Sequence, residues 1–175
     1  MNLNDVKKLE EARQRFERAT IALAEQRNQA KSNELAKVIR EFKEYFTAAD
    51  FKVVAAPHGY FASTGQLTFK LETDGSDRFG AFGLVKITPP PEMKEEPVAI
   101  LLVRKQAADG PSITVNAGQV TPLQEMEKKA ASMEAALQKP FPEIRYVIQA
   151  PTDRTNVDRQ FESFTAVLTA LYPNT

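Results

Sequence analysis

The residue types best suited to chemistry in this chain are its single histidine, His58, and the carboxylates of the stretch ETDGSD, Glu72, Asp74 and Asp77. Histidine changes charge near neutrality and serves as a general base or metal ligand, while carboxylates orient such a base or bind a hard cation. A metal-assisted hydrolase would gather His58 with Asp74 and Asp77 at one pocket, and a small-ligand-binding domain would use the same loops. The local pattern favours a plainer reading. Asp-Gly is ordinary turn chemistry between strands, and the ligand positions of a calcium-binding EF-hand loop are missing. Ser63 and Thr64 offer hydroxyls without the G-x-S-x-G frame of a nucleophile elbow. His58 sits in PHGY, where a side chain is expected to point to solvent. These residues are therefore read first as turns, with the catalytic constellation as the alternative.

No cofactor or resident metal is expected. The segment GSDRFGAFG has neither the phosphate-cradling nor the dinucleotide glycine spacing, and it precedes a strand where those loops precede a helix. A metal-dependent nuclease needs an acid two positions before a lysine on a strand, and FKLE has the reverse order. Arg78, Phe79, Phe82 and Lys86 would form a stacking and phosphate-binding surface for single-stranded nucleic acid. The 23 basic and 23 acidic side chains cancel, so no global charge draws the chain to nucleic acid or to an anionic membrane. Cysteine is absent, which excludes disulfides and thiol chemistry. No apolar run is long enough to span a bilayer, and the start lacks a secretory signal pattern, so the expected location is the cytoplasm.

The elements that would position these groups begin with a helix. Residues 1–49 contain neither Gly nor Pro and are rich in helix formers. Leu9, Phe16, Leu23 and Ala30 recur every seven residues beside Ala12 and Ala19, which is a narrow coiled-coil-like seam. Leu35, Val38, Ile39, Phe42, Tyr45, Phe46 and Ala49 make a broader stripe suited to a sheet. The polar stretch at 26–34 predicts either a turn near 28–33 or a first half that seeks a partner. Residues 1–33 are accordingly read as an amphipathic assembly or docking helix, and 34–175 as a compact α+β domain.

Strand patterns follow at FKVVAAP, QLTFKLET, AFGLVKIT, VAILLVR, SITVNAG and IRYVIQAP, with HGYFASTG read as turn and loop. Thr121, Pro122 and Gln124 predict a capped helix whose stripe is Leu123, Met126, Ala130, Met133 and Leu137, ended by Pro140. A last helix is predicted from a Thr155 cap, with Asp158 in its first turn and Val157, Phe161, Phe164, Leu168 and Leu171 facing inward. The expected fold is α+β, with a largely antiparallel sheet of four to six strands covered by helices and a long or broken N-terminal helix. The function expected is a non-enzymatic interaction or assembly domain, with a protein partner or a second copy docking at Leu9, Phe16 and Leu23. The sequence names no small-molecule ligand.

Overall fold

The computed structural model describes residues 2–77, 80–105, 120–149 and 160–173. These residues form the expected α+β architecture, with three α-helices and a seven-stranded antiparallel sheet among them. Helix α1 spans Leu3–Ala48, followed by β1 (Lys52–Ala56), β2 (Gly59–Thr64), β3 (Leu67–Asp74), β4 (Gly83–Thr88) and β5 (Val98–Arg104). Helix α2 (Pro122–Gln138), β6 (Ile144–Gln149), β7 (Gln160–Phe161) and α3 (Phe164–Leu171) complete the order. The sheet is a meander in which every strand pairs with its sequence neighbours.

Helix α1 runs unbroken through residues 28–33. At 46 residues it is about 69 Å long at 1.5 Å per residue. Asn28, Ser32 and Asn33 weaken a helix by only about 0.7 kcal/mol each, and no Gly or Pro interrupts it. Its start is a reciprocal cap, with Asp5 N–H donating to Asn2 Oδ1 at 2.9 Å and Asn2 N–H to Asp5 Oδ2 at 3.2 Å. Its end needs no glycine. Asp50 takes the left-handed conformation at φ 61°, and the N–H of Phe51 closes back on the Phe46 carbonyl at 2.9 Å. Phe51 then packs on Phe46 at 5.3 Å between ring centroids.

The chain divides into two compact units. The sheet unit comprises Lys31–Lys105 and Glu143–Thr175. Its core lies on one sheet face, where Ala62, Phe69, Leu71, Val85, Ile87, Ile100, Leu102, Tyr146 and Ile148 are buried. Val38, Phe42 and Phe46 of α1 and Phe164, Val167 and Leu168 of α3 cover that face. Phe46 meets Phe69 at 4.7 Å, and Phe164 meets Tyr146 at 6.0 Å. The helical unit comprises Met1–Ala30 and Gln106–Pro142, so one continuous helix contributes to both units.

The sheet has seven strands where four to six were expected. HGYFASTG contains β2, because Pro57 and His58 make a tight turn and Gly59 already pairs with Glu72. A side chain at Gly59 would place its Cβ 1.8 Å from the Leu71 carbonyl oxygen, so the close approach of β2 to β3 requires glycine. Phe161 belongs to β7, paired with Tyr146, and α3 begins later with Ser163 as its cap. Thr155, Val157, Asp158 and the SITVNAG segment lie outside the described residues.

Candidate functional site

His58 lies exposed in the β1–β2 turn. Because β2 begins at Gly59 and antiparallel β3 ends at Asp74, this turn and the ETDGSD loop are at the same end of the sheet. Each acid there has a structural partner. Asp74 Oδ1 accepts the Ser76 N–H at 2.8 Å, bracing the turn. Asp77 pairs with Lys31 of α1 at 2.7 Å, and the same ammonium donates to the Gly75 carbonyl at 2.7 Å. Glu72 pairs with Lys70 at 2.9 Å. The Lys70 ammonium, with smaller contributions from Lys86 and His58, holds the Glu72 carboxyl below the usual carboxylate range. Among the described residues no three His, Cys, Asp or Glu side chains converge to hold a metal.

The expected stacking surface is reduced by burial. Phe82 is 1% exposed, with the Lys31 ammonium 5.4 Å from its ring centroid, so a base cannot reach it. Lys86 is exposed on β4, and Arg78 and Phe79 lie outside the described residues.

The heptad seam takes its place in the helical unit. Ala12 and Ala19 are buried at 2% and 4% exposure, while Leu9, Phe16 and Leu23 on the same stripe are half-buried. Arg15 ties α2 alongside, its Nε donating to Glu134 Oε1 at 2.9 Å and its Nη2 to Oε2. This paired contact raises the Arg15 guanidinium pKa and lowers that of the Glu134 carboxyl. Helix α2 carries the expected capping box at Thr121 and Gln124 and presents a matching stripe. Its Ala130 is fully buried, and Leu123, Met126, Met133 and Leu137 are half-buried. The only fully buried side chains among the described residues of this unit are three alanines. Leu3, Val6, Ile21 and Val120 are 90%, 50%, 60% and 53% exposed.

Sequence reasoning missed a polar cluster beneath α1 in the sheet unit. Tyr146 is fully buried and donates its hydroxyl to Glu34; burial, then this bond and the nearby Glu34 and Glu41 charges, push its pKa well above the ordinary tyrosine value. Glu41, 8% exposed, accepts from the Thr165 N–H at 2.7 Å and the Thr165 hydroxyl at 3.1 Å. The available signal was two acids seven residues apart within the apolar stripe of α1.

Comparison with known proteins returns no matching family model, no similar curated protein and no similar solved structure. Among the described residues no helix is long and apolar enough to cross a membrane.

Proposed function

We propose that this chain is a non-enzymatic protein-interaction or assembly domain whose helical unit docks against another protein chain. The half-covered apolar stripes among the described residues of that unit carry the reading. Among the described residues its helices bury three alanines but leave Leu9, Phe16, Leu23, Leu123, Met126, Met133 and Leu137 half-covered, and Leu3, Val6, Ile21 and Val120 are 50% or more exposed. Further burial of such side chains is favourable by about 25 cal/mol per Å² of apolar surface. A third or fourth helix laid along the pair supplies the missing layer, as in helix-in-groove recognition. The acids near His58 hold structural contacts, which favours an assembly role over the hydrolase alternative.

Cross-linking mass spectrometry in the cells that make the protein tests this. Lys7, Lys8, Lys128 and Lys129 are expected to form links to another chain, and light scattering of the purified protein then distinguishes a second copy from a different partner. Interprotein links confined to sheet-unit lysines would refute the proposal.

A further inference from the structure

The sheet face turned away from the helices carries a different surface. Strand register places Val54, Phe61, Lys70 and Thr88 in one row across β1 to β4. Lys52 lies one row to one side, and Glu72 and Lys86 lie one row to the other. Lys52 and Lys86 are exposed, and the Lys70 side chain is 39% exposed. Along β2 the neighbours of Phe61 on this face are Ser63 and Gly59, and Gly59 has no room for a side chain. Phe61 is half-buried on this face, opposed across the sheet by Val54 and Lys70 and flanked along its own strand by the small residues Ser63 and Gly59.

We propose that this face binds single-stranded nucleic acid, with a base stacked on Phe61 and backbone phosphates at Lys52, Lys70 and Lys86. An antiparallel sheet presenting an aromatic side chain between basic residues matches the chemistry of single strands, whose bases offer flat π-faces and whose backbone carries regularly spaced negative charge. An acidic peptide would use the lysines but has no need of an aromatic ring among them. Three lysines against Glu72 and, one row further along β3, Asp74 leave the patch positive although the whole chain is neutral. The Lys70–Glu72 pair is at the surface, where such pairs contribute little, so a phosphate can draw Lys70 away from it.

The test is fluorescence anisotropy of the full chain with labelled oligothymidine roughly twelve nucleotides long, within the range such surfaces engage. Binding should weaken with salt along a log–log slope of about −2, as three phosphate contacts on a single strand require. Phe61→Ala should weaken binding at least about fivefold while leaving that slope unchanged, since stacking carries no counterion release. Lys86→Glu should weaken binding and flatten the slope, whereas Glu72→Gln should strengthen binding. All three positions are outside the core, and circular dichroism checks that each variant is folded. No binding at low salt, or binding indifferent to Phe61 and Lys86, would overturn the proposal. Competition by polyglutamate as effective as that by unlabelled oligothymidine would also overturn it, making the face a general polyanion site.

Discussion

Tyr172 carries its hydroxyl into the core with no hydrogen-bond partner among the described residues, although its ring is well placed at 5.0 Å from Phe69. A hydroxyl buried without a partner costs about 1–3 kcal/mol, so removing it while keeping the ring is favourable. Tyr172→Phe is expected to raise stability by about 1 kcal/mol, read from urea unfolding midpoints at constant m-value. A decrease would show that the hydroxyl is hydrogen-bonded in solution. Tyr146 is the opposite case, because its hydroxyl has a carboxylate partner in Glu34. The two tyrosines are indistinguishable by composition. Their difference depends on residues far apart in sequence, which local patterns do not record.

At the scale of elements, α3 is eight residues long and its N-terminus is held by two side chains. Ser163 accepts from the Ala166 N–H at 3.1 Å, and Glu41 of α1 accepts from Thr165. A carboxylate at this end also meets the positive pole of the helix dipole. Glu41→Ala is expected to destabilise the fold by about 2 kcal/mol by leaving the Thr165 donors unpaired, and Glu41→Gln by less because an acceptor remains. Chemical denaturation of the pair of variants checks the order. The bounds of α2 were readable because its cap, its proline and its stripe are all local to it. Phe161 was misread because its inward position fits a helix stripe equally well, and its pairing with Tyr146 is a distant event. β2 was hidden by a glycine whose requirement comes from the neighbouring strand. His58 falls in the β1–β2 turn, whereas Glu72 and Asp74 belong to β3 and only residues 75–77 of ETDGSD leave the sheet; that the two loops share an end of the sheet follows only from register.

For the whole molecule, proton linkage is asymmetric. Burial pushes the Tyr172 hydroxyl up to about 12, with the Glu95 charge adding to it, and Tyr146 is also raised. A raised pKa means that the folded state holds its proton more tightly. This contribution is complete below the unfolded value of about 10 and is lost as pH climbs to about 12. Phenolate absorbance is therefore expected to show part of the signal from the four tyrosines appearing only as the fold is lost, and full ionisation of the folded protein at pH 10 would contradict it. Glu72, Glu125, Glu134 and Glu162 are lowered by pairing with Lys70, Lys129, Arg15 and Arg145, so their contribution is lost as pH falls. These pairs are at the surface and screened by salt, so the acid limb should be the shallower one.

The helical unit is assembled from two stretches of chain separated by most of the sheet strands. During synthesis Ala12 and Ala19 leave the ribosome roughly 110 residues before Ala130, an interval on the order of ten seconds at about 5–20 residues per second. For that time Leu9, Phe16 and Leu23 have no α2 to lie against. On the assembly role proposed above, nascent copies on one message would carry the same uncovered seam side by side, and translation speed would set how long neighbours compete with the chain's own later helix.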